Sequence, residues 1–236
     1  MSLITRSISF GSLAAWGLVL LALSAARAES PRVVADELRE FEVFVQDKQI
    51  GTNQVRITET DDGATTVKQD VAVKCDLLVY VYRYELHGRE TWRGNQLINV
   101  DNQGVDNGTP VSVRAKVDSQ RSSIEISGKA ATKGPVLAMT TNFWRCPTIK
   151  SARLSFLDVD KGTVVTATLE NLGADQVTCG GEKASCTHYR MKGDVNAELW
   201  FDDRGRLVRQ HTVEMGMSTQ LRLVRITTKS GEVARR

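Results

Sequence analysis

Much that would name an activity is missing from these 236 residues. There is no Gly-x-Ser-x-Gly elbow, no His-Glu-x-x-His helix, no Walker loop and no dinucleotide fingerprint. No Cys-x-x-Cys pair is present, so neither a thioredoxin-type redox site nor covalent haem attachment is encoded. Four prolines and eighteen glycines are far too few for a low-complexity chain. Charge of one sign is missing too. The net charge of +3 supplies no electrostatic basis for gripping DNA, RNA or an anionic bilayer over a whole face. After residue 23 no hydrophobic run is long enough to span a membrane as a helix.

The first 28 residues stand apart. Arg6 is a short positive n-region, Leu13–Leu23 is an apolar core, and Ala26-Arg27-Ala28 is a small-x-small cleavage pattern. The expectation is a cleaved signal peptide over 1–28, a mature chain starting at Glu29, and a periplasmic address. Removing Arg6 and Arg27 from the 31 basic residues leaves 29 against 28 acids, close to neutral.

The remaining 208 residues hold 52 Val, Ile and Thr but only 14 Leu and 13 Ala, a balance that favours strands. Val111, Val113, Ala115 and Val117 alternate with polar residues, as do Val165, Ala167 and Leu169. Turn signals recur at Gln46-Asp47-Lys48, Asp61-Asp62-Gly63, Arg93-Gly94-Asn95, Asp160-Lys161-Gly162 and Asp202–Gly205. The predicted fold is all-β: an antiparallel meander forming a strongly curved sheet, open barrel or sandwich. At most one short helix is expected, over Pro135–Trp144. The expected organisation is a linker over 29–39, a single β domain over 40–227 and a flexible tail over 228–236.

Four cysteines in an exported chain predict disulfides, Cys179–Cys186 closing a hairpin tip and Cys75–Cys146 as its complement. A metal site on Cys179, Cys186 and His188, with Cys146, is the alternative. Its spacing fits no zinc knuckle, so no metal and no cofactor are predicted. His87 and Glu90 are three apart and on a strand face opposite sides, which separates them as an acid–base pair.

The most distinctive run is Leu78–Trp92. Tyr80, Tyr82 and Tyr84 fall on one strand face, and Glu90 and Trp92 share their parity. Such a stripe packs a core, or it lines an amphipathic pocket. On the second reading Tyr80, Tyr82, Tyr84 and Trp92 meet a ligand, with Phe143 and Trp144 as a flap.

Several stretches carry a resemblance to a known family. They are Phe41-Glu42-Val43 with Lys48–Thr52, Tyr80–Tyr84 with Glu90-Thr91-Trp92, Thr141–Trp144, His188-Tyr189-Arg190 and Leu199–Val208. In this order the chain resembles an uncharacterised family of secreted Gram-negative bacterial β-proteins, a domain of unknown function (DUF6134-like). The cysteines and the Asp47-Lys48 turn depart from the family pattern. The resemblance implies a β fold and carries over no catalytic residue. The predicted function is binding of a lipid, an acylated small molecule or an envelope component on a concave sheet face. The alternatives are an adaptor for another envelope protein and, third, a hydrolase.

Overall fold

A computed structural model describes residues 31–77, 80–147, 153–214 and 216–230. Its described residues form fifteen strands in one sheet and contain no helix.

The N-terminal wing is a meander: β1 (Val33–Val45), β2 (Lys48–Thr60), β3 (Ala64–Leu77), β4 (Tyr80–Arg93), β5 (Gln96–Asp106), β6 (Thr109–Val117), β7 (Ser122–Ile126) and β8 (Thr132–Gly134). The C-terminal wing runs β9 (Met139–Thr140), β10 (Arg153–Leu157), β11 (Val164–Cys179), β12 (Glu182–Gly193), β13 (Ala197–Phe201), β14 (Leu207–Glu214) and β15 (Met217–Ser230). The wings join where β1 pairs antiparallel with β15, from Ala35 opposite Ser230 to Val45 opposite Thr219. The sheet order is therefore β8 to β1, then β15 back to β9.

The two edges curl towards each other. A Cβ built on Gly162 would lie 2.6 Å from Ile126 of β7, and one on Gly134 of β8 would lie 3.4 Å from Val164 of β11. The wings are packed together there by side chains, and the sheet is an open barrel. Strand alternation decides what faces the interior. On β2 Asn53, Val55 and Ile57 point in, between exposed Thr52, Gln54 and Arg56. Asn107-Gly108, a two-residue turn with φ of 49° and 85°, fixes the β5–β6 register, with Asp106 opposite Thr109. Two positive φ values in a row suit Asn-Gly.

Three expectations meet a different structure. Strand β1 begins at Val33, inside the segment read as a linker, and β15 continues through Thr228 to Ser230, inside the segment read as a tail. These polar ends pair with each other, Asp36 opposite Lys229 and Glu37 opposite Thr228, and cross-strand pairing overrides their composition. The Pro135–Trp144 stretch forms no helix. Ala138 N–H donates to Ser155 O at 2.8 Å and Thr141 N–H to Leu157 O at 3.0 Å, so β9 runs parallel to β10. On the strand from Leu207 a register shift between Trp200 and Phe201 breaks the alternation, so that Leu207 and Val208 are both buried. Val213 is 57% exposed and Arg209 lies on the outer face beside Trp200. The signal segment lies outside the described residues.

Candidate functional site

One rim of the barrel, carrying the Gly94 turn, is sealed by the segment Thr140–Cys146. Phe143 takes a positive φ of 44°, which turns the chain so that both aromatic rings enter the interior. Phe143 packs edge-on against Phe156 at 5.9 Å, and Trp144 against Trp92 at 5.7 Å. The Arg145 guanidinium sits 4.4 Å from the Trp92 ring centre and 4.8 Å from that of Trp144. Trp92, Phe143 and Trp144, read from sequence as a ligand face and flap, are placed here as core, at 0%, 1% and 7% exposure.

Glu90 pins this segment to the wall. Its carboxylate accepts from Trp92 Nε1 at 2.9 Å, Thr140 Oγ1 at 2.6 Å and Asn142 Nδ2 at 2.5 Å. Burial pushes its pKa up, and those three donors and the charge of Arg145 pull it back. Buried Arg39 holds the other side of the segment, donating to Trp144 O while paired with Glu37 at 2.6 Å. Glu37 continues to Arg206 at 3.4 Å, and Arg206 to Asp202 at 2.6 Å. The void between Arg39, Asn53, Asn142 and Trp144 has no room for a water molecule. Glu90 is 1% exposed, and its carboxylate is met by Trp92 of the wall and by Thr140 and Asn142 of the sealing segment. It is a structural carboxylate.

Neither predicted disulfide is formed. Cys179 stands opposite Glu182 and Cys186 opposite Asp175, four residues along the ladder, a separation of roughly 13 Å where a bridge needs about 5–6 Å between Cα atoms. Cys179 Sγ instead donates to Leu223 O at 3.1 Å. Cys75 is opposite Tyr82, whereas Cys146 follows the arginine that covers Trp92, ten residues along β4, a strand length of roughly 33 Å. Cys146 accepts a hydrogen bond from Tyr189, whose phenol is pushed up to about 12 by burial and then by that thiol. Among the described residues no cluster of three or more His, Cys, Asp or Glu could hold a metal ion.

Towards the opposite rim the interior changes character. Asn53, Gln69 and Asn102 point inward on β2, β3 and β5, and all three are buried. Gly88 of β4 lies between Gln69 and Asn102 in the ladder. Gln69 Nε2 donates to Asn53 Oδ1 at 3.2 Å. Gln69 Oε1, Asn102 Oδ1 and Asn102 Nδ2 have no partner. Below this belt most inward positions lose cover, although Leu86 of β4 stays buried at 5% exposure. Val113 is 1% exposed but Val111 half-buried, and Asn102 gives way to half-buried Gly104 and exposed Asp106. Val71, Val73, Tyr82 and Tyr84 are likewise half-buried, with cover returning at Cys75. The Tyr84 hydroxyl donates to Asp160 from the β10–β11 turn. Crowding by surrounding protein raises the pKa of both groups, although Asp160 keeps solvent contact. Of Tyr80 only the backbone place, opposite Leu77, is described.

The outer face carries a cluster that period-two reasoning does not assemble. His188 stacks on Trp200 at 4.3 Å and 8°, with its Nε2 2.5 Å from Glu198, while Trp200 Nε1 donates to Asp175 at 2.8 Å. Arg190 and Arg209 complete it. Glu90 and His188 therefore lie on different faces and share no cleft.

This geometry defines an all-β protein with one open, curved, barrel-like sheet. The chain belongs to the family described as "Domain of unknown function (DUF6134)", whose model matches residues 41–224. It is similar in fold to a β-barrel-like protein of domain of unknown function DUF1849 from Brucella abortus, with a TM-score of 0.63 and 8% identity over 84% of this chain and 99% of that one. No curated protein matches.

Proposed function

We propose that this protein is exported to the periplasm and binds a lipid or an acylated small molecule in the half of the barrel interior below the amide belt. The supporting observation is the belt itself. Two buried amides leave two acceptors and one donor unpaired, each costing roughly 1–3 kcal/mol when left so. A ligand head carrying a donor and an acceptor removes that cost. Its apolar part has half-buried Val71, Val73 and Val111 to cover, beside Tyr82 and Tyr84.

The test is native mass spectrometry with lipid extraction on protein taken from its own periplasm, in wild type and Asn102→Leu. A stoichiometric apolar adduct in wild type, lost in the variant, supports the reading. A mature mass beginning at Glu29 with no adduct would keep the address and refute the carrier. A second reading, an adaptor for another envelope protein, is favoured by the exposed Val213 and Met217 flanking the β14–β15 turn, 57% and 45% accessible.

A further inference from the structure

A second site lies at the sealed rim, away from the barrel interior. Residues Lys116 of β6, Ser123 of β7 and Lys133 of β8 are direct cross-strand partners, Lys116 opposite Ser123 and Ser123 opposite Lys133. Both lysines therefore flank one serine on the outer face. Together with Val117, Asp118, Arg121 and Ser122 they line a pocket of about 280 Å³.

The charges in this pocket do not cancel. Among the described residues neither lysine ammonium has an ion pair or hydrogen bond, and the neighbouring acids are engaged elsewhere. Glu125 pairs with Arg114 at 3.8 Å. Asp118 accepts from Gln120 N at 2.7 Å and Arg121 N at 2.9 Å, and lies 3.8 Å from the Arg121 guanidinium. Those backbone bonds hold its carboxyl below its ordinary range, as a carboxylate committed to the turn. Three cations against one acid leave a local charge of +2 in a protein that is otherwise nearly neutral. The two ammonium groups stand two strands apart, roughly 10 Å, with the Ser123 side chain between them. Only one of the two serines presents its hydroxyl to this face: Ser123 is exposed, whereas Ser122 points inward with Ile124 and is 0% exposed.

We propose that this pocket binds a phosphoryl group, held between the Lys116 and Lys133 ammonium groups, with Arg121 at its edge and the Ser123 hydroxyl beneath it. The volume of about 280 Å³ admits a tetrahedral anion together with part of the group that carries it. The rest of the molecule extends into solvent from the outer face, where Lys116, Ser123 and Lys133 are all exposed. A soluble phosphate ester and a phospholipid headgroup share this chemistry.

The test is an amide NMR titration of full-length mature protein with inorganic phosphate, against chloride at equal ionic strength, in wild type and in Lys116→Gln/Lys133→Gln. The expected result is a saturable shift at Lys116, Ser123 and Lys133 that chloride does not reproduce. The double variant, at unchanged Tm, should weaken it by roughly ten-fold or more, about 1.4 kcal/mol. A linear response, or equal affinity in the variant, would overturn the proposal. Vesicles of phosphatidylcholine with and without phosphatidic acid identify the source. Phosphatidic-acid-dependent sedimentation lost in the variant assigns a lipid headgroup, and phosphate binding without sedimentation assigns a soluble ester.

Discussion

Trp144 meets Trp92 edge to face, 5.7 Å between ring centres and 71° between planes, with the Arg145 guanidinium laid over both. The first ring arrives on an irregular loop and the second on a regular strand, so this contact ties the sealing segment to the wall. Trp144→Ala should lower stability by about 3–5 kcal/mol, as for other large aromatics removed from a core. Chemical denaturation measures it. Unchanged stability would mean that the segment is not part of the folded core.

Glu90 has three donors aimed at one buried carboxylate. Glu90→Gln turns one acceptor oxygen into a donor, so at least one of those bonds becomes a donor–donor clash. A loss of roughly 1–3 kcal/mol is expected. The pH dependence has a definite sign. Burial raises the native pKa above the ordinary 4.5, so between the two values the folded chain holds a proton that the unfolded chain has released. The stability from this group is fully present below 4.5 and is lost as pH rises through the native value. The advantage of wild type over Glu90→Gln should shrink over that window in paired thermal melts. An advantage that grew would reverse the assignment.

The ladder registers keep Cys179 from Cys186 and Cys75 from Cys146. Peptide mapping without reductant should find neither bridge. Reductant should leave Tm unchanged, and alkylation of Cys179 and Cys186 should be slow at neutral pH, because burial holds both thiols above their ordinary range.

Asn102 offers a prediction in which stability and binding move in opposite directions. Asn102→Leu removes two unpaired buried polar atoms from an interior position. It should stabilise the protein by about 1–3 kcal/mol while abolishing any interior adduct. Stabilisation in a parent that carries no adduct would make the belt a plain packing imperfection.

How much was legible beforehand can be judged from these same residues. The inward parity of Tyr82, Tyr84, Glu90 and Trp92 follows from strand geometry alone, and so does the outward position of His87, 2.6 Å from Asp70. The all-β fold was legible from Val, Ile and Thr for the same reason. The partners of Glu90 were not, because Thr140 at the end of the two-residue β9 and Asn142 on the loop after it lie some fifty residues away, on a path no local period encodes. The disulfides misled because an oxidising compartment makes a bridge favourable without saying which residues stand opposite one another. Asn53, Gln69 and Asn102 carried a signal in retrospect, each being a polar residue at the apolar parity of its strand.

The pairing of the first strand with the last has a consequence for how the chain could be cut. Ala35 and Ser230 are ladder partners, so a few residues would join the two ends, and the sheet has its natural break between β8 and β9. A circular permutant opened there would thread every strand beside its sequence neighbour from one edge to the other. The seam that now waits for the final residues would become a hairpin. Such a molecule should reach the same sheet with a lower contact order, and so fold faster than the natural connectivity does.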